Sequence, residues 1–268
     1  MPGCAGVALY HTERIGAMQA FAAGEAFFEK FDTAVTGTSY YELLEHGDHE
    51  GDHDLVETSP EQLRAKIGTG EAEAFWMYSQ QHGTLPWDAA FTYHTSGYGS
   101  FPHIAAFCDS PPEDTYSVLK EWLSHMAEQF TFPYAILYGT RKMTDAMSYA
   151  AGDNGKTAFP YEKAFAFNKE TPGLYGGQAR YTGSKLRMVY PANVLNGEHL
   201  NIGIAGTNLE NWIQSSHDHG ILYRVGEERW MWEVDPAKLE QVNQICGEAG
   251  VLIAWQPRES KKPRRKLP

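Results

Sequence analysis

The sequence predicts an α+β fold, a mixed but mainly antiparallel sheet with helices packed against it, and three observations predict it. Strand candidates fall in clusters, and helical segments interrupt them irregularly rather than alternating with them as in a doubly wound sheet. One helix has a clear apolar stripe, and one pair of alternating runs is joined by a short turn. The chain of 268 residues is 42% hydrophobic and 13% aromatic, enough to bury a sizeable core.

Taken along the chain, the first helix is expected over about residues 14–31. Ser59-Pro60-Glu61-Gln62 then has the grammar of a helix start. The serine oxygen accepts an orphan backbone N–H, proline suits the first helical position, and glutamine reaches back to the cap. Ser110-Pro111-Pro112-Glu113 repeats it, and Val118, Leu119, Trp122, Leu123, Met126 and Phe130 follow at three- and four-residue spacing. That spacing predicts an amphipathic helix over about 111–130. Thr207-Asn208-Leu209-Glu210 reads as a further capping box. Asp235-Pro236 opens a last helix carrying Leu239, Val242, Ile245 and Cys246, with Gly250 suited to the left-handed position that ends it.

Strands are expected at Ala90–His94, His103–Phe107, Tyr134–Tyr138, Leu186–Tyr190, Leu200–Ile204, Ile221–Val225, Arg229–Val234 and Val251–Trp255. The clearest hairpin is 221–234, turning at Gly226-Glu227-Glu228. Its second strand places Trp230, Trp232 and Val234 on one face, with Met231 and Glu233 on the other. The stretch 139–184 has weak periodicity but is too long for a bare loop in a compact domain, so short elements are expected within it. Residues 46–57 read as a surface loop. The simplest division is one domain over 1–257 and a basic, flexible tail over 258–268.

Charge is the strongest functional signal. The formal net charge is −12, and the last eight residues hold five bases, leaving 17 bases against 34 acids before them. Residues 42–73 alone contain ten acids and two bases, Arg64 and Lys66. Such a field repels nucleic acid and speeds encounter with cationic partners. Within it, Glu45, Asp48, Glu50, Asp52, Asp54 and Glu57 are the candidate partner-binding residues. The three cysteines, Cys4, Cys108 and Cys246, are sparse and lack CxxC spacing, which predicts buried thiols rather than a disulfide framework. The start MPGCAGVALYHTER has no secretory pattern. No run approaches the roughly 18 apolar residues that cross a bilayer. A cytoplasmic protein without membrane contact is expected.

Four constellations offer chemistry. His46, Asp48, His49, Asp52, His53 and Asp54 combine ligand types that suit borderline metals, but on a loop that gives them no rigid support. His217-Asp218-His219 reads as a turn at a helix end. Gly152-Asp153-Asn154-Gly155-Lys156-Thr157 ends like a phosphate-binding loop, yet Ala150 stands where the first glycine is needed. Trp230, Trp232 and Trp255, with Tyr223, sit at core spacing. No HExxH, GxSxG or strand-borne GxGxxG occurs. No catalytic residue, cofactor or metal is therefore expected. The competing reading is a small metal-dependent hydrolase using His46, His49, His53, His217 and His219.

The run LRMVYPANVLNGEHLNIGIAGTNLENWIQSS, followed by GILYRVGEERWMWEVDPAKLEQVNQICGEAGVLIAWQP, resembles bacterial type VI secretion immunity proteins. The likeness covers about residues 186–257, more weakly 88–140, and rests on apolar and structural positions. It implies an antitoxin that is not an enzyme. Its partner would be a secreted nuclease toxin, neutralised by covering the active cleft or by blocking self-association.

Overall fold

The computed structural model describes residues 3–80, 87–173 and 175–258. Twelve strands and seven helices follow in chain order: β1 (Cys4–Tyr10), α1 (Ala17–Lys30), β2 (Gly37–Leu43), β3 (His53–Thr58), α2 (Pro60–Thr69), β4 (Phe75–Ser79), β5 (Ala89–His94) and β6 (His103–Cys108). The second half contains α3 (Pro112–Gln129), β7 (Tyr134–Thr140), α4 (Met143–Ala151), β8 (Ala192–Asn196), α5 (Gly197–Leu200), β9 (Gly203–Ile204), β10 (Thr207–Asn208), α6 (Leu209–Gln214), β11 (Ile221–Gly226), β12 (Arg229–Glu233) and α7 (Leu239–Glu248). Ten strands form one sheet in the order β11-β12-β8-β7-β1-β6-β5-β4-β2-β3. Its neighbours pair antiparallel throughout. The expected α+β class is the observed one.

Both faces of the sheet are covered. Val7, Leu9, Phe91 and Ile104 share one core with Phe21 and Phe27 of α1 and Trp122 and Leu123 of α3. Ala8, Tyr10, Phe107 and Ile136 look the other way, into a core shared with Tyr149 of α4 and Val242 and Cys246 of α7. Strand β1 sits at the centre and all seven of its residues are buried. Burial on both faces removes the polar alternation by which strands are recognised, and this strand has no counterpart among the expected elements. Helix α1 packs so closely on the sheet that a Cβ at Gly24 would stand 2.6 Å from Met77 Sδ.

The helix starts divide into one as expected and three shifted. Ser59 caps α2 and accepts from Gln62 N–H. At α3 the cap is Pro111 and no side chain bonds there, so Ser110 lies one residue too early. At α6 the cap is Asn208, which accepts from Asn211 N–H, because Thr207 is paired with Ile204 in the β9–β10 hairpin. Asp235 caps only a turn, accepting from Ala237 N–H at 2.8 Å, and α7 begins at Leu239. Gly250 has the expected positive φ, 75°.

Two expected strands lie off the sheet. Leu186–Tyr190 and Val251–Trp255 run beside each other, with Leu186 N–H donating to Val251 O at 3.0 Å and Ile253 N–H to Leu186 O at 2.8 Å. Asn243 of α7 satisfies the backbone of Val189 from both its amide atoms, at 2.9 and 2.8 Å. The place beside β7 is taken by β8 instead. Of Leu200–Ile204 only Gly203–Ile204 is extended, since Asn196 caps the short α5. The tryptophan hairpin forms as expected, but Gly226 pairs with Arg229 inside the strand, so only Glu227 and Glu228 make the turn and the register shifts between Arg224 and Gly226. Trp232 and Val234 enter one core and Met231 the other. The stretch 139–184 holds α4 and two short 3-10 turns, Asn168–Glu170 and Arg180–Thr182. Cys4, Cys108 and Cys246 are buried free thiols, and burial pushes Cys246 up to about 12. Arg258 is described, paired with Glu240 at 3.1 Å; the rest of the basic tail, 259–268, lies outside the described residues.

Candidate functional site

Strand β3 is one edge of the sheet, and the acidic segment is the hairpin that it forms with β2. The expected surface loop 46–57 is thus only partly a loop. His53–Thr58 are strand, because Leu55 and Val56 find partners in Tyr41 and Tyr40. Glu45, Asp48, Glu50 and Asp52 stand at the tip, whereas Asp54 and Glu57 lie on the edge strand itself. All six belong to one continuous projection. Asp54 directly opposes Glu42, and facing like charges on paired strands are destabilising. Among the described residues no lysine or arginine pairs with Glu42 or with any of these six; the His49 ring stands 3.7 Å from Asp52, and Tyr78 Oη–H donates to Glu57 at 2.9 Å.

Apolar surface accompanies it. Of the eight large hydrophobic side chains that stay exposed among the described residues, Leu43, Leu44 and Leu55 are on this hairpin, at 52%, 45% and 51%. Exposed leucines ringed by charge have the make-up of an interaction surface, with an apolar centre and a polar rim. The tip is also fixed in place. Asp52 Oδ2 accepts from His49 N–H at 2.9 Å. Gly51, at φ +88°, lies so close to the next loop that a Cβ would meet Gly99 N at 2.5 Å.

Where the tip meets that loop there is a cavity of about 270 Å³. Cross-strand pairing builds it. His94 of β5 directly opposes His103 of β6, and their rings stack at 4.4 Å with 5° between planes. Tyr41 packs on His53 at 4.3 Å and on Tyr98 at 5.5 Å. Trp76 Nε1–H donates to Tyr41 Oη at 2.7 Å and fixes that ring. Burial lowers His103 to about 4, and it lowers His94 well below the ordinary histidine value. Both rings are neutral at physiological pH.

The sequence marked both strands that carry these histidines but not the cavity. Its signal is their position: His94 ends one strand and His103 begins the next, so an antiparallel pair brings them face to face.

The other constellations separate. His217 and His219 lie in a 3-10 turn that leads into β11, at the opposite edge of the sheet from His46, His49 and His53. The two histidine sets do not meet. His219 stacks on Trp212 at 3.9 Å, and Asp218 pairs with Lys238 at 2.9 Å. Among the described residues no three His, Cys, Asp or Glu side chains are grouped to hold a metal ion. Residues 152–157 follow α4 rather than a strand, and Lys156 is held by Asp145 at 2.7 Å. Trp232 is fully buried, Trp230 and Trp255 pack half-buried against the same core, and Tyr223 is exposed at the β11 edge. Among the described residues no helix is long and apolar enough to cross a membrane.

Buried neutral histidines make stability depend on pH. His199, whose Nε2–H donates to Tyr181 O at 2.8 Å, is also lowered to about 4 by burial. The unfolded chain protonates these rings near 6.5, whereas the folded chain resists down to about 4 at His103 and His199. Their contribution is therefore complete above 6.5 and is lost as pH falls from there towards 4. Each proton is worth about 1.4 kcal/mol per pH unit within that window. Urea unfolding between pH 7 and 4.5 is expected to show a shallower pH slope for His199→Gln, by up to one proton; an unchanged slope contradicts this.

The geometry defines an α+β protein with a ten-stranded main sheet, a charged, leucine-bearing edge hairpin and a ring-lined cavity beside it. The sequence matches no family model and no curated protein. Among solved structures, the chain is similar to the Pseudomonas aeruginosa T6SS protein PA0821, with a TM-score of 0.55 and 13% identity over 96% of this chain and 76% of that one. At that identity the likeness is one of fold.

Proposed function

We propose that the chain is an immunity protein of a type VI secretion system, which binds and neutralises a cognate nuclease toxin in the cytoplasm and catalyses nothing itself. The observation that carries this reading is the β2–β3 edge hairpin: six carboxylates that no lysine or arginine among the described residues pairs with, among exposed leucines, on a projection whose tip is fixed. A nuclease must present cations to bind DNA phosphates. An acidic surface meets those cations and competes with DNA for them, and opposite charge brings the two proteins together quickly. The likeness of fold to a T6SS protein agrees with this reading. So does the pattern over 186–257, which resembles TsiT, the immunity partner of the nuclease toxin TseT.

The hairpin acts either by covering the nuclease cleft or by blocking a surface through which the toxin self-associates. Titrating a candidate nuclease toxin with the purified protein tests the reading. Activity on DNA is expected to fall linearly to background at one equivalent. A nuclease that stays fully active with excess protein present contradicts it, as does turnover of any substrate by the chain alone.

A further inference from the structure

We propose that the cavity beside the acidic tip is a receptor for one arginine side chain of a basic protein partner. This rests on the antitoxin reading only for who the partner is. The walls are rings: Tyr41, His53, His94, Tyr98, His103 and Tyr175 all line the space. A planar guanidinium stacks on such faces, more readily than a compact and strongly hydrated ammonium does. The volume of about 270 Å³ is several times the roughly 30 Å³ that a water occupies in liquid, which is room for a whole side chain. The mouth opens past Gly99 and Tyr175, both exposed.

The polar atoms in the cavity mainly accept. His103 Nδ1 lies 2.8 Å from Phe101 O, and His53 Nδ1 lies 2.7 Å from Gly51 O. A carbonyl only accepts, so each Nδ1 carries a hydrogen, and Nε2 of the neutral His103 ring is left as an acceptor. Asp153 adds a carboxylate to the lining, while among the described residues no lysine or arginine lines the space. Glu50 and Asp52 border the adjoining hollow over His53 and Tyr98. Ring walls with a histidine acceptor, and surrounding carboxylates, disfavour an anion and leave a cation with several N–H donors as the fitting guest. A guanidinium has five such donors in a rigid plane.

The test uses the full chain and no toxin, so its outcome is independent of whether a nuclease is inhibited. Histidine-ring NMR signals are followed while N-acetyl-arginine amide is added, with the neutral isostere N-acetyl-citrulline amide and the lysine analogue in parallel. The ring signals of His53, His94 and His103 are expected to move together and to saturate with the arginine probe. Citrulline is expected to bind about tenfold more weakly or worse, the loss of a cation–π contact and a charge pair together. Tyr175→Ala and Asp153→Asn, both at exposed positions that leave the fold intact, are expected to weaken arginine binding several-fold. Equal responses to arginine and citrulline, a preference for lysine, or no saturable response each overturn the proposal.

Discussion

Reversing the charge of Glu45, Asp48, Glu50, Asp54 and Glu57 to lysine is expected to slow association with the proposed nuclease partner by one to three orders of magnitude at low salt. All five are exposed, so the fold tolerates the change. Asp52 is left alone, because its carboxylate holds the tip through His49 N–H. Each replacement adds two charges, moving the formal net charge from −12 to −2. Exposed charges act mainly on the on-rate and its salt dependence. The difference from the unaltered protein is therefore expected to shrink as salt rises and the Debye length falls from about 30 Å at 0.01 M to 8 Å at 0.15 M. Stopped-flow association at several ionic strengths measures this. Unchanged rates at low salt remove the hairpin from the account.

A second large effect is expected far from that surface. Arg187 is 1% exposed, on the segment that lies against residues 251–255 rather than in the sheet. Its guanidinium donates to Tyr10 Oη at 3.1 Å and to Tyr149 O at 2.6 Å. It lies over the rings of Tyr149 and Phe167, at 3.6 and 4.1 Å. Glu162, also buried, stands 3.6 Å from Arg187 Nε. It accepts from Tyr149 Oη at 2.9 Å and from Ala158 N–H at 2.8 Å. This network ties β1, α4 and the carboxy-terminal segments together. Removing one partner strands the other charge in the interior, at a cost of about 3–5 kcal/mol. Arg187→Met is thus expected to lower the unfolding free energy by that amount. Arg187→Met combined with Glu162→Leu is expected to recover part of it, since no unpaired charge remains. Urea denaturation of the two variants decides; a single-variant loss below about 0.5 kcal/mol, as at an ordinary surface site, contradicts the role.

Local chemistry made some of this architecture legible in the sequence, and long-range pairing hid the rest. The Ser59 cap, the stripe of α3 and the tryptophan hairpin are encoded within a few residues, and each was readable. Strand β1 is apolar on both sides and β4 is nearly so, and neither shows the alternation that marks a half-buried strand. The pairing of Leu186–Tyr190 with Val251–Trp255 depends on residues over sixty positions apart. The acidic cluster was plain from composition, but that Asp54 and Glu57 are edge-strand residues follows only from their pairing with β2. The cavity was least visible, because Tyr41, His53, His94 and His103 come together only when β2, β3, β5 and β6 take their places. The arginine that stabilises the core, Arg187, sits in an apolar run where a charge gives no local hint of its partners.

The edge hairpin is proposed as the surface by which this protein would hold a nuclease toxin. Hydrogen exchange of the chain, alone and in complex with the nuclease, measures that most directly. Protection concentrated in residues 37–58 and the facing 95–101 loop is predicted. Protection confined to the opposite edge, around Ile221–Gly226, or to the helical faces would contradict it.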